Sequence, residues 1–437
     1  MKLSTKNPFI FGTLLLAAAG ILTRIIGFFY KIFLSRTIGA EGLGIYQLIF
    51  PVMSICFSLT SAGIQTSISK YVSMEIGKNN PKGARLYLVI GLLISTALSV
   101  VTGVFIWKNA AFIANTLLGE SRCTSLLKII AFSYVPCSIH ACINGYYYGM
   151  KKAAIPSVSQ LVEQLVRVGS VYLFYVILQS NGQEMTIGMA AWGLTLGEVG
   201  GMLVSLSAIG CQKASGNMRF AAKNLLYMAV PLTASRLVLN LFSSVENILI
   251  PKCLRSFGYT SAEALSVFGV LTGMSFAIIS APSVITNSVS VLLLPTVSEA
   301  QAKNNHKLIQ RAILRTAFCC LLLGFLCTIL FLFTGDYIGN FVFHNTLAGT
   351  FIKTLSWICP FLYMNTTLMS ILHGLGLVNQ SFALNLAASI LRILFILLVI
   401  PTIGIRGYLY GLLISQLFLS AAALGLLYHK MTHLVKS

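Results

Sequence analysis

Eight ionisable residues sit inside otherwise apolar stretches: Arg24, Lys128, Glu163, Arg167, Glu198, Arg236, Glu246 and Arg392. A charge in hydrocarbon costs roughly 2.5–3.5 kcal/mol or more, so such residues face a protein interior or water and mark paths of ions and charged substrates. A guanidinium forks onto phosphate or carboxylate oxygens. A carboxylate takes a proton, a sodium ion or an arginine. Glu163 and Arg167 are four apart with the acid first, the favourable order for a helical ion pair. They share a face with Gln160 and Ser170, and such a pair neutralises itself and holds its surroundings together. Glu198 and Glu246 are lone acids. Each is open to a coupling proton, a coupling sodium ion or an arginine on another helix. Arg24 and Arg236 have no acid one turn away and read as cavity-lining residues.

The neighbours of these arginines form stripes. Thr13, Ala17, Gly20, Arg24, Gly27 and Lys31 recur in steps of three and four, which is one helical face. Ser54, Ser58, Ser61 and Gln65 do the same, as do Arg236, Asn240, Ser243 and Asn247, and Ser280, Ser283, Asn287 and Ser290. Four such faces are expected to line one cavity. Its substrate-binding residues would be Arg24, Lys31, Ser58, Ser61, Gln65, Arg236, Asn240 and Asn287. Small polar stripes also serve as packing faces between membrane helices, and spacing alone leaves both readings open.

Other chemistries find no support. Ten cysteines are present, mostly in apolar runs, without a Cys-x-x-Cys. Cys137, His140 and Cys142 fit no zinc spacing, so no metal and no cofactor are expected. There is no Gly-rich phosphate loop with lysine, no His-Glu-x-x-His and no Gly-x-Ser-x-Gly. The polar segments are too short to hold an enzyme or nucleotide-binding domain. The chain reads as a non-enzyme that ATP does not drive directly.

The elements that must position these residues are membrane helices. Of 437 residues 57% are hydrophobic and 9% charged, against about 25% charged in a soluble domain. Mean hydropathy is +0.86. The fold class is all-α and polytopic, with about twelve spans near residues 9–30, 43–69, 86–107, 126–149, 153–178, 186–210, 224–250, 265–294, 312–334, 350–373, 378–400 and 406–428. The net charge of +20 sits in short segments between spans, so it signals topology and not a nucleic-acid partner. Lys70, Lys78, Lys82, Arg85, Lys151, Lys152, Lys307, Arg311 and Arg315 fall in alternate turns, on the same side as both termini. That side is predicted to be cytoplasmic. The first apolar run follows a basic tip, as in a signal peptide, and reads as an uncleaved first helix because spans continue along the chain.

The chain also repeats itself. "KYVSMEIGKNNPK" (Lys70–Lys82) and "PTVSEAQAKNNHK" (Pro295–Lys307) share Val-Ser, Lys-Asn-Asn and a closing lysine, 225 positions apart (303 − 78). Arg392 and Arg167 share that offset, as do Gly374 and Gly149. Two six-helix lobes are expected, residues 1–212 and 213–437. Six is even, so both would run the same way, related by an axis along the membrane normal. Pro51, Pro136, Pro156, Pro231, Pro282 and Pro360 lie in or beside spans, where they permit kinks.

"ILTRIIGFFYKIFLSRTIGAEGLGIYQ" (Ile21–Gln47), "SQLVEQLVRV" (Ser159–Val168), "VENILIPKCL" (Val245–Leu254) and "LLLPTVSEA" (Leu292–Ala300) resemble stage V sporulation protein B-like polysaccharide exporters. That group belongs to the multidrug/oligosaccharidyl-lipid/polysaccharide (MOP) flippase superfamily, and the resemblance spans the whole chain. It implies two lobes in a V shape, alternating access, and movement of an undecaprenyl-diphosphate-linked saccharide, such as a peptidoglycan or spore-cortex precursor, to the outer leaflet. Related lipid II flippases carry arginines in their cavity, and Arg24 stands where their first-helix arginine would. The second helix departs from them, with serine and glutamine in its stripe. That leaves the cationic work to Arg24, Arg236 and Lys31. The implied partners are the lipid-linked saccharide, membrane lipids and a coupling proton or sodium ion. The protein is expected as a monomer in a bacterial cell membrane. Two alternatives stand beside this reading: an ion-coupled multidrug exporter of the same superfamily, and a non-transporting scaffold for cell-wall synthesis.

Overall fold

Hydrocarbon offers the backbone no hydrogen-bond partner, so long apolar segments close their own bonds as helices. The computed structural model describes residues 8–210, 214–302 and 305–436, which are helical almost throughout. The extreme termini, the 212/213 boundary of the expected lobes and the Lys303–Asn304 pair lie outside the described residues. In chain order the helices are α1 (Pro8–Thr37), α2 (Gly39–Gly77), α3 (Pro81–Leu118), α4 (Cys123–Ala131), α5 (Tyr134–Gly149), α6 (Ala154–Ser180) and α7 (Ile187–Ser207). Then follow α8 (Met218–Phe257), α9 (Ser261–Ser280), α10 (Ser283–Ala302), α11 (His306–Val342), α12 (Thr346–Ser356), α13 (Cys359–Gly374), α14 (Val378–Leu398) and α15 (Ile405–Lys436). Among the described residues ten helices are long and apolar enough to span a membrane, or twelve when each bent pair counts as one. The chain is a multi-pass membrane protein.

The duplication is visible element by element. The α-helical part of α3 (Pro81–Phe112) and that of α11 (His306–Tyr337) are both 32 residues long and start 225 apart (306 − 81). Asn80 and Asn305 cap them, accepting hydrogen bonds from the backbone N–H of Gly83 and Leu308 at 3.0 and 3.1 Å. Each then widens into a π turn, Ile113–Leu118 and Ile338–Val342. α5 and α13 are both 16 residues long at the same offset. Each is entered through a bend, 46° after α4 and 57° after α12. Pro136 and Pro360 stand in the first turns after these bends, where a missing N–H costs nothing.

The described chain forms two compact units. One holds the described residues of Met1–Ile38 with Ile45–Ser244; the other holds Gly39–Gly44 and those of Val245–Ser437. The first packs Ile64, Ile68 and Val72 of α2 against Leu88 and Ile90 of α3, Ile143 of α5, and Leu225 of α8. The second packs Val297 of α10 against Ile309 and Ile313 of α11, Leu368 and Ile371 of α13, and Leu427 of α15. In the first unit α5 comes close enough to α2 that only glycine fits. A Cβ at Gly145 would lie 2.6 Å from the Gln65 carbonyl oxygen, and one at Gly149 would lie 2.5 Å from that of Ser69. Glycines four apart are the usual device for close helix contact in membranes.

Candidate substrate pocket and charged clusters

That close contact forms one wall of a pocket of about 740 Å³ in the first unit. α2 supplies Gln65, Thr66, Ser69, Lys70, Ser73 and Met74; α5 and the turn after it supply Tyr148, Gly149 and Lys151; α8 supplies Met228 and Arg236. Three of the eleven lining side chains are cationic and none is acidic. The rest are three hydroxyl residues, one amide, two methionines, Gly149 and one aromatic ring. Lys151 adopts a left-handed backbone (φ 58°) at the turn that ends α5.

Arg236 joins the pocket to α2. Its Nη1 donates to the Ala62 carbonyl at 3.1 Å and its Nη2 to Thr66 Oγ1 at 3.2 Å. Ala62 closes a π turn, Ser58–Ala62, in the middle of α2. Two carbonyls of that turn meet side chains from other helices: Ser95 donates to Thr60 O at 2.6 Å, and Arg236 to Ala62 O. One turn further along α8, Asn240 Nδ2 donates to Ser58 Oγ at 2.5 Å. Ser244 then donates to Pro51 O at 3.1 Å. The stripes of α2 and α8 therefore meet each other along part of their length.

The remaining expected site residues are placed as follows. Gln65 lines the pocket beside Arg236. Ser58 and Ser61 are buried, with Ser61 Oγ 3.1 Å from Thr60 Oγ1. On α1, Arg24 is exposed and Lys31 is half-buried. Neither makes a hydrogen bond or ion pair among the described residues. Asn287 is half-buried on α10 in the second unit.

Glu163, Arg167 and Glu198 come together in the first unit. Arg167 Nη2 bonds Glu163 Oε1, and its Nη1 lies 3.4 Å from Gln164 Oε1. Glu198 on α7 joins them through His140 of α5, whose Nδ1 is 3.7 Å from Glu198 Oε2 and 4.0 Å from Glu163 Oε2. Ligand-type atoms of His140, Glu163 and Glu198 lie within 4.8 Å of one another, a spacing a cation can bridge. The Arg167 guanidinium, already on Glu163, supplies positive charge there.

Glu246 belongs to a different cluster in the second unit. Arg392 Nε donates to both its carboxylate oxygens, at 2.9 and 3.0 Å, and Tyr408 OH donates to Oε1 at 3.0 Å. Arg392 Nη2 also donates to Ser389 Oγ at 3.1 Å. This set holds one acid and one base, and it is closed.

Three site residues escape a reading by spans. Lys70 and Lys151 count as loop charges by topology, yet they line the pocket with Tyr148. His140 stands four residues before Asn144 on α5, a polar step that marks the same inward face.

Comparison with known proteins agrees with this architecture. The family model described as "Polysaccharide biosynthesis protein" matches residues 10–301. Stage V sporulation protein B of Bacillus subtilis (strain 168) is 28% identical over 420 residues, covering 92% of this chain and 80% of that protein. The lipid II flippase MurJ of the same organism is 22% identical over 333 residues, covering 70% of this chain and 60% of that one. Among solved structures, the inward-facing conformation of a multidrug resistance MATE family transporter of the MOP superfamily aligns with a TM-score of 0.76 at 16% identity, over 95% of this chain and 96% of the other. The chain belongs to the polysaccharide biosynthesis protein family and has the fold of MOP-superfamily transporters.

Proposed function

We propose that this protein moves an undecaprenyl-diphosphate-linked saccharide across the cytoplasmic membrane, loading it at the pocket of α2, α5 and α8. The supporting observation is the lining: Lys70, Lys151 and Arg236 with no acid among them. A diphosphate presents oxygens that a guanidinium engages in pairs and that ammonium groups neutralise as point charges. Serine, threonine and glutamine side chains match a saccharide's hydroxyls, and the Tyr148 ring offers a face for a sugar ring. The lipid tail stays in the bilayer. Lys70 and Lys151 belong to the turns predicted to be cytoplasmic, so the pocket serves the inner leaflet, with both termini on that side. The names of the two relatives, a sporulation protein and a lipid II flippase, agree with a cell-wall or spore-envelope precursor. A multidrug exporter for cations would call for an acidic lining.

The test is reconstitution in liposomes with fluorescent undecaprenyl-diphosphate-linked sugars of several head groups. Protection of the inner-leaflet probe from an external quencher reports transport. Wild type should exchange the probe between leaflets, and Arg236→Ala combined with Lys70→Ala should lose that exchange while still inserting. Unchanged exchange in the double variant would remove the basic pocket from the mechanism. Wild-type liposomes that move cationic dyes and no lipid-linked probe would favour the drug-exporter reading. A scaffold would move neither.

A further inference from the structure

We propose that Lys151 is a specificity-determining residue of the pocket, a lysine held in a strained turn that makes the pocket favour a doubly charged diphosphate over a singly charged phosphate. The inference rests on the transport reading and deepens it, by naming the residue that separates diphosphate-linked from monophosphate-linked lipids.

α5 ends in a turn that the second half copies bond for bond. In the first half the Met150 N–H donates to Tyr146 O at 3.0 Å, that of Lys151 to Tyr148 O at 3.0 Å, and that of Lys152 to Tyr147 O at 2.9 Å. After α13 the Leu375 N–H donates to Ile371 O at 2.9 Å, that of Gly376 to His373 O at 3.0 Å, and that of Leu377 to Leu372 O at 2.9 Å. Every donor and acceptor of the first set stands 225 positions before its counterpart in the second (376 − 151). This is a Schellman turn. Its left-handed residue is usually glycine, because a Cβ there crowds the following carbonyl. Gly376 follows that preference at φ 74°, whereas Lys151 holds the same conformation at φ 58° with a full side chain.

Topology alone does not call for a lysine at that point. Lys152, the next residue, gives the same turn a basic charge without a left-handed backbone, and it does not line the pocket. Lys151 does line it, and is the one cation that α5 and its turn contribute; Lys70 comes from α2 and Arg236 from α8. The matching positions of the second half hold no such set. Pro295 stands for Lys70, Gly376 for Lys151, and an acid, Glu299, for Met74. The strained lysine goes with the basic lining, and the turn without that lining has glycine.

The charges then decide what Lys151 selects. A diphosphate between lipid and sugar carries two negative charges, and a monophosphate carries one. Coulomb attraction scales with the product of the charges, so an added cation favours the diphosphate by more. Arg236 already commits guanidinium hydrogens to the Ala62 carbonyl and to Thr66. Lys151 is exposed and forms no ion pair among the described residues, so its ammonium is available to a ligand.

The experiment uses the full chain in lipid nanodiscs and measures Tm and the binding of fluorescent undecaprenyl-linked sugars, joined by a diphosphate or by a monophosphate. Lys151→Gly should raise Tm by roughly 2–4 °C as the turn relaxes. It should weaken binding of the diphosphate probe about 3- to 10-fold, and of the monophosphate probe by less. Lys151→Gln, strained and uncharged, should lose the binding without the gain in Tm, and Lys151→Arg should keep most of the binding. His344 is the control: it is exposed in the second unit at φ 51°, 225 positions after Gly119 at φ 68° (344 − 119). His344→Gly should raise Tm and leave binding as it was. Unchanged diphosphate binding in both Lys151→Gly and Lys151→Gln overturns the proposal. So does an equal loss for the two probes, and so does a Lys151→Gly variant no more stable than wild type. Inorganic diphosphate should displace the probe poorly; displacement as strong as by the unlabelled lipid overturns the lipid-linked assignment in favour of a soluble anion. Wild type that selects the diphosphate probe through Lys151, yet moves neither probe between leaflets of proteoliposomes, refutes the transport reading and leaves the selectivity standing.

Discussion

Arg392→Met is the most direct probe of the closed cluster in the second unit. Glu246 is 7% exposed, and Arg392 supplies two of its three hydrogen bonds and, among the described residues, its only counter-charge. Removing one partner of a buried pair costs about 3–5 kcal/mol, because the other charge stays behind unpaired. The second unit has about 200 residues, so the expected loss in Tm is roughly 6–20 °C. Replacing both charges, as Arg392→Met with Glu246→Leu, removes the stranded carboxylate but leaves the Tyr408 hydroxyl without its acceptor. That residue costs about 1–3 kcal/mol. Adding Tyr408→Phe should recover most of the remainder, so stability should run wild type, triple, double, single. Thermal aggregation of detergent-solubilised protein, followed by size-exclusion chromatography with fluorescence detection, measures the order. A single variant within about 1 kcal/mol of wild type, or a double variant no better than the single, would refute the argument that this pair is buried and mutually dependent.

Arg236→Ala should slow transport of a diphosphate-linked probe by roughly 10- to 100-fold, the value of about 1.5–3 kcal/mol for hydrogen bonds to a charged group. Arg236→Lys should recover only part of this, because an ammonium cannot engage two oxygens in a fork; initial rates in proteoliposomes would show it. A cysteine at Asn79, in the turn between α2 and α3, should resist an impermeant thiol reagent added outside intact cells that lack other exposed cysteines, and labelling there would reverse the topology. Gly149→Val would put a branched side chain against a carbonyl 2.5 Å from its Cβ, prising α5 from α2 and collapsing or widening the pocket. The yield of folded protein should fall, whereas Gly20→Val, with open space around its Cβ, should express normally.

The spans and the duplication were legible in the sequence because both are local signals. Hydropathy over some twenty residues marks a span, and a fixed offset survives as long as the lengths between do. Three spans did not read through: 126–149 bends between α4 and α5, 350–373 bends between α12 and α13, and 265–294 breaks near Pro282 into α9 and α10. The Glu163–Arg167 pair was legible too, since it lies within one helix. What joins His140 to Glu198, or Glu246 to Arg392, is the rotation of separate helices about their axes, and no spacing along the chain encodes that. The polar stripes show the same limit. A cavity wall and a packing face share steps of three and four, and Asn240 meeting Ser58 across two helices looks in sequence like Gln65 facing the pocket.

The π turns at Ile113–Leu118 and Ile338–Val342 show how far the match between the halves extends. A π turn holds one more residue per turn than an α turn, so it resets the phase of every side chain that follows it. These two begin 225 positions apart (338 − 113), the offset of the helices that carry them, so both helices change phase at the same place. The turns at Ser58–Ala62 and Val270–Ser275 stand at a different spacing, 212 (270 − 58). The first of these is the turn that hands a carbonyl to Arg236. The pocket's guanidinium is thus anchored where the two halves differ in phase, which makes the pocket a property of one half and not of the repeat.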